Sequence, residues 1–182
     1  MKLLNFEVMY GLMLASDASP PTLEVLLAAR PTAITIHGRT KKELSKVPAR
    51  WDVIAQAARM AQGSGVVVLG NGDVRSSDDA RAKINQSGVD GVMVGRGILG
   101  NPWFFSGAVP SLEDRLNAIV LHAHIFEKSF DGVKSFAHIL KHLHAYATGF
   151  AGAKELRMQL MHATNAQEAA QTVEAWRSAH GI

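Results

Sequence analysis

The 182-residue sequence contains no cysteine. Within this chain, that absence excludes disulfide bonds, thiolate metal sites and a cysteine acting as nucleophile or general acid. The sequence also lacks any uncharged apolar run of about 18 residues, the length that a membrane-spanning helix needs. Its first residues lack the apolar stretch of a secretory signal. A cytoplasmic protein without a membrane segment is therefore expected.

Neither sign of charge is in large excess. The chain has 19 lysines and arginines and 16 aspartates and glutamates, which gives a formal net charge of +3. This balance permits a nucleic-acid partner but does not by itself indicate one. Apolar residues make up 47% of the chain, enough for a packed core in one domain, or in one domain and a small second one.

The sequence does have three short apolar segments that each run directly into a polar or glycine-rich turn. These are residues 33–36 before His37-Gly38-Arg39-Thr40, residues 66–69 before Gly70-Asn71-Gly72-Asp73, and residues 91–94 before Gly95-Arg96-Gly97. Each segment is short enough for a buried parallel strand. Because parallel α/β folds place ligands at the carboxyl ends of their strands, the three turns predict a binding site.

The two glycine-rich turns favour a ligand that carries a phosphate. Glycine lets the backbone approach a ligand, so the N–H groups of Gly72 and Gly95 can point at one spot. Arg96 can form paired hydrogen bonds with a phosphate. Asn71 offers both a donor and an acceptor, whereas Asp73 can simply cap its turn. The alternative is an ordinary strand-to-helix turn with a surface arginine.

The first turn contributes a histidine and an arginine. His37 ends its strand, where it can form a hydrogen bond with a flavin or a substrate. The alternative for His37 is a core histidine whose hydrogen bonds are satisfied within the protein. Arg39 follows at the predicted rim of the site, where it either faces a ligand or lies on the surface.

The order of these elements predicts an α/β fold. Four strands are counted, the first over residues 6–14. Three helices are predicted between them, at residues 23–30, 51–62 and 76–87. Four more helices follow, at residues 112–130, 134–148, 153–162 and 166–179. The expected architecture is a partial (β/α)8 TIM-type barrel, about the last four βα units, in residues 1–107, and a C-terminal α-helical bundle in residues 108–182.

Basic and histidine side chains recur in the helical part. Lys134, His138 and Lys141 would form a polar, partly basic helix face that can contact phosphates; the alternative is a face that is simply solvated. His138 and His142 lie four residues apart, but no acidic general base lies between them as in a zinc-protease helix. No metal site is therefore predicted.

The turns, in this order, resemble those of the tRNA-dihydrouridine synthases. That family carries an HGRT-like turn, an NGD-like turn and a GR turn followed by Asn-Pro-Trp, each after a barrel strand. The matching segments here are residues 36–40, 70–74 and 93–104, with 50–52, 139–142 and 149–157 in support. Together they cover the chain from about residue 33 to residue 161.

The resemblance implies a flavin enzyme. Family members hold FMN at the mouth of the barrel, reduce it with NADPH and pass hydride to C6 of a uridine in tRNA, while a cysteine protonates C5. By match, the FMN phosphate and ribityl chain would be bound by Asn71, Gly72, Asp73, Gly95 and Arg96. His37 would lie near the isoalloxazine and Arg39 would face the uridine. The helical domain, with Lys134, His138 and Lys141, would grip tRNA.

The match lacks the family's first four strands, and with them a first FMN-binding loop, a flavin-contacting glutamine and the catalytic cysteine. Met9 stands at or near the position of an expected lysine. The resemblance therefore assigns no catalytic residue here, and the chain is interpreted as the C-terminal half of a synthase, encoded alone. Because a half-barrel leaves strand edges unpaired, a homodimer or a separate N-terminal fragment is expected to cover them.

Three alternatives stay open on the sequence. The chain can be a non-catalytic half-barrel remnant that binds phosphate or RNA, or one subunit of a split enzyme. It can also be another FMN or phosphate-sugar barrel, such as a relative of dihydroorotate dehydrogenase. The helical tail, with Lys141-His142 and the stretch 154–157, argues against the last of these.

Overall fold

The computed structural model describes residues 11–15 and 20–182. The chain divides into two compact units, Met1–Gly97 and Ile98–Ile182, called here the sheet unit and the helical unit. The division falls ten residues before the boundary expected from the sequence. The reason is that the segment after Ile98 packs with the helices: Trp103 contacts their core, and a Cβ on Gly100 would lie 2.1 Å from the carbonyl oxygen of Ala145.

The described residues of the sheet unit form four parallel strands, which confirms the predicted α/β fold. They are β1 (Gly11–Ala15), β2 (Ala33–His37), β3 (Val67–Asn71) and β4 (Gly91–Met93), in the order β1-β2-β3-β4. The register pairs His37 with Asn71, and Asn71 with Met93. The last residues of three neighbouring strands are therefore level, at the edge where the predicted turns begin. Of the strand predicted over residues 6–14, residues 6–10 lie outside the described part.

Helices connect the strands where the sequence predicts them. They are α1 (Pro20–Ala28), α2 (Trp51–Met60) and α3 (Ser77–Ser87). Helix α3 shows why its limits were readable from the sequence. The Ser76 side chain accepts a hydrogen bond from the Asp79 N–H at its start, and Gly88 ends it in the left-handed region at φ 71°.

The core of the sheet unit lies between β2, β3 and the helices that follow them. Ile34 and Ile54 are fully buried, and Ile36, Val66 and Val68 pack with them. Strand β2 is buried on both faces and reads as a continuous apolar run, whereas β3 exposes Val67. This core holds the carboxyl ends of the strands, and so the turns, in fixed positions.

The helical unit is a packed bundle, as predicted. Its helices are α4 (Leu112–Phe130), α5 (Ala137–Tyr146), α6 (Ala153–Leu160) and α7 (Ala166–His180); a 3₁₀ turn, Arg96–Ile98, precedes it. Leu116, Leu143, Leu156 and Trp176 lie in its core. In the part of the chain that the structure describes, no helix has the length and apolar character needed to cross a membrane.

One helix begins later than expected. The sequence predicts a helix from residue 134, but α5 begins at Ala137. Gly132 lies in the left-handed region at φ 67°, and the residues after it form a turn that returns the chain to the core at Phe136, which is buried. Lys134 therefore lies in a turn and not on a helix face.

Candidate functional site

A cleft of about 590 Å³ opens at the carboxyl ends of β2, β3 and β4. The six residues predicted to bind a cofactor all line it: His37, Asn71, Gly72, Asp73, Gly95 and Arg96. Arg39 lines it too. The strand register brings these positions together, although they lie in three turns that are distant in sequence.

Asn71 joins the three strand ends through its side-chain amide. Its Oδ1 lies 2.6 Å from His37 Nδ1, and its Nδ2 donates to the carbonyl oxygen of Met93 at 2.7 Å. An amide oxygen can only accept, so the Nδ1 of His37 carries the proton in this pair. The Nε2 of a neutral His37 is then a hydrogen-bond acceptor. Asn71 thus fixes the orientation of the histidine predicted to meet a flavin.

The end of β3 and the turn after it need glycines because another segment lies against them. Gly72 has φ 129°, a conformation that favours glycine, and a Cβ there would lie 2.6 Å from Ala49 Cβ. A Cβ on Gly70 would lie 2.6 Å from the ring of Trp51. The Trp51 indole N–H also donates to the carbonyl oxygen of Gly72 at 3.0 Å. Sequence reasoning named Trp51 only for its helix and the family match, and missed this support.

The Asp73 carboxylate accepts from three donors around the turn. Its Oδ2 forms an ion pair with Arg39 and accepts the Ala49 N–H at 2.9 Å, while Arg96 Nη2 lies 3.4 Å from Oδ1. The hydrogen bond from Arg39 holds the pKa of Asp73 below its usual value, helped by the Ala49 N–H and the charge of Arg96, against an opposing contribution from burial. Asp73 does more than cap its own turn: it joins three segments.

The guanidinium of Arg39 is not free, although a residue at the rim of the site was expected to have a free one. The residue is only 4% exposed, and its Nε donates to the carbonyl oxygen of Val47 at 2.5 Å while Nη2 pairs with Asp73. The group expected to face a uridine is therefore held by protein groups. An isolated turn sequence does not reveal this, because Asp73 lies 34 residues further along the chain.

The remaining cations make the cleft positive. The Arg96 side chain is 64% exposed, and its Nη1 donates to Ser45 Oγ at 2.9 Å. Arg75 also lines the cleft, where three arginines accompany one carboxylate. Sequence reasoning missed Arg75, although its place just before the Ser76 cap of α3 is where an anion-binding residue is useful. An excess of positive charge suits an anionic ligand.

Besides Arg39, three residues were predicted to contact RNA, and all three are exposed on the helical unit. Lys134 lies in the turn before α5, with its Nζ 4.4 Å from the centre of the Phe130 ring. His138 and Lys141 lie three residues apart on α5, and the ring of His138 forms a hydrogen bond with the carbonyl oxygen of Ser135 at 3.0 Å. Over the described ranges, no three metal-ligating side chains cluster. Met9, expected at a lysine position, lies outside the described residues.

The fold and the site together define a class of protein. Its members have a parallel α/β unit with a positive cleft at the strand ends, followed by a helical bundle. The family described as Dihydrouridine synthase (Dus) matches residues 22–180. The chain belongs to this family, which confirms the resemblance found in the turns and favours it over the dihydroorotate dehydrogenase alternative.

Relatives of the chain carry the name "Probable tRNA-dihydrouridine synthase". The protein from Staphylococcus epidermidis (strain RP62A) is 33% identical over 150 residues, which is 80% of this chain and 46% of the relative. The protein from Staphylococcus aureus (strain MRSA252) is 33% identical over 141 residues, 75% and 43% respectively. The Mycobacterium leprae protein is 33% identical over 139 residues, 70% and 36%. The chain thus spans less than half the length of these relatives.

Proposed function

We propose that this chain is the FMN-binding and tRNA-binding half of a tRNA-dihydrouridine synthase. In this proposal the sheet unit corresponds to about the last four βα units of a (β/α)8 barrel, and the helical unit to a tRNA-binding domain. Family membership and the all-parallel strand order support it. The observation that carries it is the positive cleft, which gathers all six expected cofactor residues at the strand ends.

The residues of the cleft fit the phosphate end of FMN. Arg96 and Arg75 supply positive charge, and a Cβ on Gly95 would meet no atom within 4 Å, so its backbone is open to a ligand. These three residues would hold the phosphate, and the acceptor Nε2 of His37 would lie near the isoalloxazine. When bound, FMN would supply the hydride transfer that takes reducing equivalents from NADPH to a uridine.

The residues of the helical unit suit a polyanion. Lys134, His138 and Lys141 are exposed around the start of α5, and each cation there can pair with a backbone phosphate. A tRNA partner accords with the names of the relatives and with a cytoplasmic location. Arg39 would stabilise the wall of the cleft through Asp73 and would not contact the uridine itself.

FMN binding by the purified chain tests the proposal directly. We expect quenching of flavin fluorescence on titration, with FMN bound more tightly than riboflavin because only FMN carries the phosphate. Arg96→Ala should weaken FMN binding about tenfold or more, since it removes a charge-assisted hydrogen bond. Arg81→Ala is the matched control, because this exposed arginine pairs with Asp78 on α3 and does not line the cleft. Failure of the wild-type chain to bind FMN would refute the proposal.

The absence of cysteine favours a second candidate, a non-catalytic protein that binds phosphate or RNA. A second copy of this chain would add no cysteine, so catalysis needs an acid from another chain or segment. The two candidates differ when a cysteine-containing front half of a synthase is added. Gain of dihydrouridine formation would support a split enzyme, and tRNA binding without any gain would support the non-catalytic candidate.

A further inference from the structure

Arg39 and Asp73 form the most buried ion pair of the sheet unit's described part. The Arg39 side chain is 5% exposed and that of Asp73 is 22% exposed. Arg39 uses two different nitrogens of its guanidinium, Nη2 for Asp73 and Nε for the Val47 carbonyl oxygen. A planar guanidinium with such geometry holds both partners in one plane, which a lysine does not do.

The carboxylate of Asp73 connects three parts of the cleft wall. Through Oδ2 it holds the segment after the first turn, by way of Arg39 and the Ala49 N–H. Through Oδ1 it faces Arg96 in the third turn. Asp73 itself has φ 52°, a left-handed conformation that is rare outside glycine and persists where surrounding contacts determine it.

An ionised carboxylate is a poor direct ligand for a phosphate. It only accepts hydrogen bonds, and its charge repels a dianion. Arg39 neutralises that charge from the buried side, while Arg96 remains 64% exposed toward solvent. The two arginines therefore have different roles. The buried Arg39 holds Asp73, and the exposed Arg96 is available to a ligand.

We propose that Arg39 and Asp73 are a positioning pair for the phosphate site: the pair fixes the turn after β3 and aims Arg96 into the cleft, and neither residue contacts the phosphate. This inference rests on the proposed function and replaces two roles that the family resemblance implied, a ligand role for Asp73 and a substrate role for Arg39. The ligand in question is the terminal phosphate of FMN.

The decisive variant is the double substitution Arg39→Met with Asp73→Asn. It removes one positive and one negative charge, so the net charge of the cleft is unchanged while the ion pair between the turns is lost. We expect FMN affinity to fall about tenfold or more, and the preference for FMN over riboflavin to shrink, because Arg96 loses its charged partner and keeps only the hydroxyl of Ser45. The matched control is Arg81→Met with Asp78→Asn, an exposed pair on α3 whose side chains are 71% and 90% exposed.

Each other outcome overturns the positioning role. Unchanged FMN affinity in the double variant would show that only net charge matters. Equal losses for FMN and riboflavin would show that Asp73 contacts the ribityl chain directly. Unchanged FMN affinity in Arg39→Met alone, with weaker tRNA binding, would return Arg39 to the substrate role.

A measurement without flavin keeps the inference testable on its own. Hydrogen exchange of the Ala49 amide, which is bonded to Asp73, should accelerate at least tenfold in the double variant, while amides of β2 and β3 stay protected. If the double variant does not fold, Arg39→Lys keeps the charge but lacks the two separate donor nitrogens of the guanidinium, and the same loss of phosphate preference is expected. If the wild-type chain binds no FMN, the proposed function fails, and inorganic phosphate then serves as the probe for the pair.

Discussion

Two glycines beside the cleft differ in what a methyl group would meet, and this difference gives a residue-scale prediction. Gly72→Ala should destabilise the protein by about 1–3 kcal/mol, because φ 129° is unfavourable for alanine and the new Cβ would lie 2.6 Å from Ala49 Cβ. Gly95→Ala meets nothing within 4 Å and should change stability by no more than about 0.5 kcal/mol. Urea unfolding of both variants measures the difference, and equal stabilities would contradict the geometry.

Asp73 gives a second prediction at this scale. Its folded pKa lies below the ordinary value, chiefly because Arg39 donates a hydrogen bond to the ionised form. The pair's contribution to stability is therefore fully present above the ordinary carboxyl pKa and is lost as the pH falls through the lowered value. NMR titration of the carboxyl carbon should show Arg39→Met raising this pKa. No rise would mean that Arg39 is not the main cause.

At the residue scale, the sequence identified the turn residues but not their partners. Gly72 and Arg96 were predictable as lining residues because each lies in a turn that directly follows an apolar run, where a parallel strand ends. The Arg39–Asp73 pair was not, because it depends on side-chain directions across turns 34 residues apart. Ala49 and Ser45 contribute a backbone N–H and a hydroxyl, groups that any loop sequence contains.

At the scale of elements, strands and helices followed from local signals. Helix α4 occupies the predicted residues, since the Ser111 capping box marks its start. The start of α5 was misplaced because Lys134 fits a helix by propensity, while burial of Phe136 decides the turn. Tertiary contacts overrode local preference there.

Two histidines of the bundle predict how the helical unit responds to pH. Burial lowers the pKa of His122 on α4 and of His144 on α5, helped by His142 and Arg157 respectively. The unfolded chain thus binds more protons, so stability is fully present above about pH 6.5 and falls as the pH drops toward the lowered values. The midpoint of urea unfolding should therefore be lower at pH 5 than at pH 7.5.

The corresponding variants separate burial from general acid sensitivity. His122→Gln with His144→Gln should flatten the pH dependence between these two pH values, because glutamine does not titrate. His138→Gln with His162→Gln, two exposed histidines, should leave the dependence as it is. A wild-type midpoint that does not change with pH would show that the two half-buried histidines do not take up protons on unfolding.

The prediction for RNA binding concerns the loop turn before α5 and the first two helical turns of α5. If Lys134 and Lys141 each pair with a phosphate, removing both should reduce the slope of log affinity for tRNA against log salt by about 1.4–1.8. Lys41→Ala with Lys42→Ala, in the sheet unit, is a control of equal charge. An unchanged slope for Lys134→Ala with Lys141→Ala would favour the alternative of a simply solvated face.

At the scale of the whole molecule, the chain combines a positive cleft with a complete lack of cysteine. We therefore expect little or no dihydrouridine formation when the purified chain meets unmodified tRNA, FMN and NADPH. Proton donation by a placed acid is worth about 10²–10⁴-fold in rate, and this chain offers no thiol for it.

The assay quantifies dihydrouridine in digested tRNA, with a full-length family member as the positive control. Addition of a front-half fragment should restore activity only if that fragment keeps its cysteine, so a cysteine-to-alanine fragment is the matched control. Robust conversion by this chain alone would show that another group donates the proton, and the residues of the cleft would then be the candidates for the catalytic acid.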